Sequence, residues 1–166
     1  MKIALKTCLL AAGLGMAMWA SAQTPTLTST LAAQRVQTVN GKQVLAPATA
    51  GQPGDLVEYS GTYRNSGAKP VEKLVATIPV PAGTTFVAGT AEPLRAEAST
   101  DGARFAPMPL VRTVRQADGT VRLEPVPLAD YRFVRWEIGT LAPAGEAVVR
   151  LRVQIDSAAT TAAAKP

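Results

Sequence analysis

Between residues 53 and 87 apolar and polar side chains alternate in short runs cut by turn residues, and this pattern constrains the fold more than any other feature of the chain. Val57, Tyr59, Gly61 and Tyr63 alternate with Glu58, Ser60, Thr62 and Arg64, the period of a strand whose side chains leave opposite faces of the pleat. Asn65-Ser66-Gly67 interrupts the run. Asn and Gly tolerate φ > 0, so the triplet is expected to turn the chain at little steric cost. Alternation resumes over residues 71–80, with Leu74, Ala76, Ile78 and Val80 on one face. Pro79 and Pro81 have no N–H to give a ladder, which puts the end of this strand at a sheet edge or outside the sheet. Pro81-Ala82-Gly83 then turns the chain toward Phe86, a candidate core residue.

The same grammar recurs along the chain. Asn40-Gly41 lies between two alternating segments in residues 35–45, a strong hairpin signal. Asp101-Gly102 and Asp118-Gly119 mark two more hairpins, in residues 95–105 and 110–126. Pro-rich runs bracket the second of these, which makes it a projecting arm rather than part of a central sheet. In residues 131–138 the phase slips: Tyr131 and Phe133 share one face and Val134, Trp136 and Ile138 the other, so a bulge is expected near Phe133. The last strand places Val149, Leu151, Val153 and Ile155 inward and Arg150, Arg152 and Gln154 outward. No amphipathic helical period follows residue 22. The expected fold is therefore all-β, an immunoglobulin-like antiparallel β-sandwich of about seven to nine strands over residues 35–156. Tyr59, Tyr63, Phe86 and Trp136 are its expected core aromatics, the tyrosine hydroxyls reaching the rim.

Residues 1–22 read as a secretory signal peptide: Lys2 and Lys6 form a charged start, residues 9–20 are apolar, and Ala20-Ser21-Ala22 is a small-residue cleavage site. The apolar run falls short of the roughly 20 residues of a membrane span. Residues 23–34, rich in Thr and Ser, read as a loose N-terminal segment, and residues 157–166, rich in Ala and Thr, as a disordered tail. The expected destination is the periplasm or the cell exterior, with no transmembrane segment after cleavage.

Loss of the leader would remove Cys8, the only cysteine, and the chain has no histidine. Ser-His-Asp and Cys-His nucleophile systems and Cys/His zinc sites are thereby excluded, and no metal or cofactor is expected. Fifteen basic residues would remain against 12 acidic ones, a net charge of +3. Six arginines cluster in sequence, Arg104, Arg112, Arg115, Arg122, Arg132 and Arg135, and mark a candidate polyanion surface. Between residues 106 and 130 no aromatic residue interleaves with them as single-stranded nucleic acid would require, so nucleic acid is not an expected partner. Asp101 and Asp118 are a candidate acid and base for polysaccharide hydrolysis, against a turn role at their Asp-Gly tips. Tyr131 and Trp136 are a candidate stacking platform, against a core role for Trp136.

Gly54-Asp55, Tyr59, Asn65-Ser66-Gly67, Pro81-Ala82-Gly83, Phe86, Trp136, Gly139, Leu141-Ala142-Pro143 and the closing Val-Arg-Leu-Arg-Val run together resemble a bacterial family, the conserved repeat domain of unknown function eleven. The resemblance covers roughly residues 44–156. It implies an exported, immunoglobulin-like sandwich without catalytic activity. Members of that family often stand in tandem arrays, whereas this chain has no internal repeat. The leading expectation is an envelope module that contacts another envelope protein or a cell-surface polymer through an edge strand or a surface. The sequence leaves its oligomeric state open.

Overall fold

A computed structural model describes residues 27–157; the expected leader and residues 158–166 of the expected tail lie outside them. Eleven strands follow one another: β1 (Leu27–Val39), β2 (Lys42–Pro47), β3 (Leu56–Asn65), β4 (Val71–Pro79), β5 (Thr84–Phe86), β6 (Glu97–Ser99), β7 (Ala106–Pro107), β8 (Val111–Arg115), β9 (Val121–Pro125), β10 (Phe133–Leu141) and β11 (Glu146–Ile155). A single turn of 3-10 helix, Leu128–Asp130, precedes β10. The number exceeds the expected seven to nine because β5, β6 and β7 are pieces of two or three residues. One sheet has the order β2-β1-β3-β11-β5, a second β4-β10-β6-β7, and β8-β9 form a separate hairpin. Every pairing is antiparallel, so the all-β expectation holds. No described helix is long and apolar enough to cross a membrane.

The cores of the two sheets meet in one cluster. Val57, Val149, Leu151 and Val153 come from the first sheet, and Ala76, Ile78, Ala98, Val134 and Trp136 from the second. Each Val, Leu or Ile so buried contributes about 1.5–3 kcal/mol. Gly61 sits between them for a steric reason: a Cβ there would lie 3.3 Å from Val149 Cγ2 and 3.6 Å from Ile78 Cδ1. Trp136 is buried with its indole N–H donating to the Pro93 carbonyl at 2.9 Å, and Phe86 is buried in the same cluster. Tyr59 and Tyr63 only flank the cluster, half-buried.

Local chemistry worked as expected at several turns. Asn40 and Gly41 take φ of 52° and 77°, the left-handed pair that a two-residue hairpin demands. β8 and β9 form the arm around Asp118-Gly119. β4, ending in Pro79, is the edge of its sheet.

Three expectations are corrected. Residues 27–34 are not loose: β1 begins at Leu27 and pairs with β3 from there. The Thr and Ser content that suggested a loose segment is compatible with a strand, because Thr is β-branched and favours the pleat. The irregularity in β10 lies not near Phe133 but at Glu137–Gly139–Leu141, where the register with β4 shifts and Gly139 takes φ of 79°. Tyr131 had suggested the earlier position, but it closes the 3-10 turn ahead of the strand and so is not bound by its alternation. Finally, neither Asn65 nor Gly67 adopts a positive φ. That turn is held by a side chain, as described below.

Candidate functional site

β1 is 13 residues long, yet β2 pairs only with residues 34–39 of it. On its other flank β3 pairs with residues 27–36. Among the described residues, positions 27–33 therefore have a strand on one side only, and the stretch Leu-Thr-Ser-Thr-Leu-Ala-Ala holds no charge and no proline. Residues 28–33 are exposed, and Leu31, opposite Gly61, is 52% exposed. Such an edge is about 24 Å of backbone whose outward N–H and C=O groups can pair with another strand.

The other edges are blocked, those of the β8-β9 arm by Arg112 and Arg115 on β8 and by Arg122, Glu124 and Pro125 on β9. β2 is short, begins with Lys42 and ends with Pro47. Past the three residues of β5 the chain stays bonded to β11, through Val87 N–H to Arg152 O at 2.9 Å and a reciprocal pair between Glu92 and Arg150 at 2.8 Å. β4 carries Glu72, Lys73 at φ of 54° and a terminal Pro79, and β7 is two residues of which one is Pro107. Charge, bulging, proline and brevity are the usual barriers to edge pairing. The free half of β1 has none of them.

The six arginines are used separately. Arg104 pairs with Asp101 at 3.4 Å. Arg135 binds Glu97, its neighbour across β6, and lies 4.0 Å over the Phe105 ring. Arg132 donates to the carbonyls of Ala129 and Tyr131 at 2.7 and 3.1 Å. On the arm, Arg112 stands opposite Glu124 and Arg122 opposite Val114, which puts both on one face, whereas Arg115 stands opposite Val121 on the other. That other face also bears Val111, Val121 and Leu123, all well exposed. Arg112, Arg115 and Arg122 make no ion pair among the described residues.

Both candidate carboxylates serve turns. Asp101 Oδ1 accepts the N–H groups of Ala103 and Arg104, each at 2.9 Å, and the Ser99 hydroxyl at 3.0 Å. Those donors, the Arg104 and Ala103 amides foremost, hold its carboxyl well below the usual range. Asp118 is lowered in the same way by the Thr120 hydroxyl and amide at its hairpin tip, 2.6 and 2.9 Å away. The stacking platform does not form: Trp136 and Tyr131 are both buried, and Tyr131 stacks on Phe86 at 5.7 Å while its hydroxyl accepts the Leu110 N–H at 2.7 Å. Tyr131 thus ties the base of the arm to the core, which its position outside the strand pattern had concealed.

Two polar clusters escaped the sequence reading. Asn65 is fully buried, and its Nδ2 donates toward the carbonyls of Lys69, Leu141 and Ala142 at 2.8, 3.0 and 3.1 Å. Its Oδ1 accepts the Gly67 N–H at 2.9 Å, so one carboxamide joins the turn after β3 to the turn between β10 and β11. On the outward face of the first sheet Glu58 is buried under Arg152 (2.9 Å) and Arg150 (4.0 Å). Arg150 also reaches Glu92 at 3.6 Å. A buried Asn at the end of a strand and a Glu in register with Arg are intelligible signals, but only once the partner strands are known.

Comparison with protein-family models, with curated proteins and with solved structures finds no match to this chain.

Proposed function

We propose that this chain is an exported, non-enzymatic module of the cell envelope that binds a protein partner by strand addition. We read its two antiparallel sheets as an immunoglobulin-like sandwich, the fold that the sequence resemblance implies. The observation that carries the reading is the uncharged, proline-free edge at residues 27–33, where the other strand edges among the described residues are obstructed. A strand laid there gains main-chain hydrogen bonds for affinity and side-chain pockets on alternate positions for specificity. The charged leader and its small-residue cleavage site support delivery across the inner membrane.

The test is expression of the full chain with a photo-reactive residue at Thr30 or, as a control, at Val75 on the β4 edge. Secreted or periplasmic protein starting at Gln23, with adducts from Thr30 exceeding those from Val75, is the expected result. Full-length protein retained in the cytoplasm would refute export, and equal labelling at both edges would refute strand addition.

A second reading is binding of an anionic envelope polymer by the arm, favoured by the absence of ion pairs at Arg112, Arg115 and Arg122 among the described residues. Retention on a polyanion column that ignores salt between about 50 and 200 mM would eliminate it.

A further inference from the structure

We propose that the partner of the free β1 edge is the same segment of a second copy of this chain, paired antiparallel about a two-fold axis at Thr30; the inference rests on the strand-addition reading. In an antiparallel pair the residues facing each other point the same way, so a symmetric self-pairing must have its axis through a residue rather than between two. Thr30 is the centre of positions 27–33, and an axis there uses all of them. Leu27 then faces Ala33 of the second copy, Thr28 faces Ala32, Ser29 faces Leu31 and Thr30 faces Thr30.

One end of the segment is set by the fold. Pro47 of β2 already occupies the edge opposite Gln34, so the second copy can run along β1 only as far as Ala33. In the sequence, Pro25, which has no N–H for a ladder, stands two residues before Leu27.

The side chains also match. No charge lies within positions 27–34, so self-pairing brings no like charges together although the protein is basic overall. Thr facing Thr is a favourable cross-strand pair. Leu31, half exposed in the single chain, becomes diagonal to both Leu31 and Leu27 of the second copy, within reach for long side chains. The contact is isologous and closes on itself, and the obstructed edges elsewhere stop it from propagating into a fibre. Seven paired residues bury less than a standard interface, so the dimer is expected to be weak and its population to depend on concentration.

The experiment uses the full chain carrying Cys8→Ser, so that an added cysteine is the only thiol. Sedimentation over a concentration series reads association. Thr30→Cys and Val75→Cys are compared for disulfide formation under mild oxidation, because facing cysteines in an antiparallel pair lie within disulfide range and the β4 edge does not self-pair. Thr30→Lys and Thr30→Glu are each expected to weaken association at least about tenfold, and an equimolar mixture of the two to restore it. Far-UV circular dichroism and melting of each variant show that the fold persists. Concentration-dependent dimerisation, rapid Thr30→Cys cross-linking and rescue in the mixture would support the proposal. A monomer at all concentrations, or Thr30→Cys linking no faster than Val75→Cys, would overturn it. In that event a hetero-adduct at Thr30 in cells would leave strand addition standing with a different partner, whereas its absence would remove both.

Discussion

β3 has two neighbours of opposite character. On one flank, β11 presents Val149, Leu151 and Val153, each with no exposed surface, and its outer face is latched by Arg152 to Glu58. On the other, β1 runs beside β3 for ten residues, yet residues 28–33 remain exposed. The backbone pairing is alike on both sides; what differs is the layer beneath. β11 lies over the second sheet, whereas β1 extends past it, so the same ladder carries buried side chains in one case and solvated ones in the other. Hydrogen-bonded pairing by itself does not make a core.

The contrast is most sharply tested by matched truncations. Leu151→Ala should lower stability by about 2–5 kcal/mol through lost burial and a residual cavity. Leu31→Ala, the same change on the other flank, should stay within about 0.5 kcal/mol. Chemical denaturation of both variants measures the difference, and comparable losses would mean that β1 also covers core.

Next in size is the clamp where β3 ends. Asn65→Ala would leave three carbonyls without their donor and should cost about 2–3 kcal/mol. Asn65→Asp should cost more, since an acceptor would then face the same oxygens. Melting temperatures of the two variants decide the order, and a neutral Asn65→Ala would show that the two turns hold without the carboxamide.

The latch on the β11 flank should be weaker. Glu58→Gln removes the charge between Arg150 and Arg152 and should cost about 1–2 kcal/mol, read in urea. A gain in stability would show that burying the carboxylate costs more than its pairing returns.

The smallest effect belongs to a turn remote from both flanks. The Asp101 carboxyl is lowered in the folded protein, so its contribution is present above the unfolded value of about 3.9 and is lost as pH falls through the lower folded value. The stability difference between the protein and Asp101→Asn should be constant from pH 7 to about pH 5 and shrink as the solution is acidified below the unfolded value. Denaturation at several pH values checks this, and a difference that grows on acidification would contradict the assigned donors.

Much of the fold was legible in the sequence wherever one strand sufficed to reveal it. Val149, Leu151 and Val153 declare their inward face by alternation alone, and Asn40-Gly41 declares its hairpin by backbone tolerance alone. Asn65-Ser66-Gly67 was recognisable as a turn, but its mechanism was not, because the groups that Asn65 satisfies lie 76 and 77 residues away at Leu141 and Ala142. The edge at 27–33 was misread for a related reason. Thr, Ser and Ala in a polar stretch have the composition of a loose segment, and only pairing with β3 makes them a strand.

By itself the sequence determined the side-chain periods, the turn tips and the absence of histidine, all local properties that a few neighbouring residues express. Tertiary structure decided which strands lie side by side, that β2 stops short along β1, and that one carboxamide bridges two distant turns. The physical reason is that alternation specifies which face of a strand is buried and leaves both backbone edges chemically alike. Which edge is filled and which stays open depends on segments brought together from across the chain.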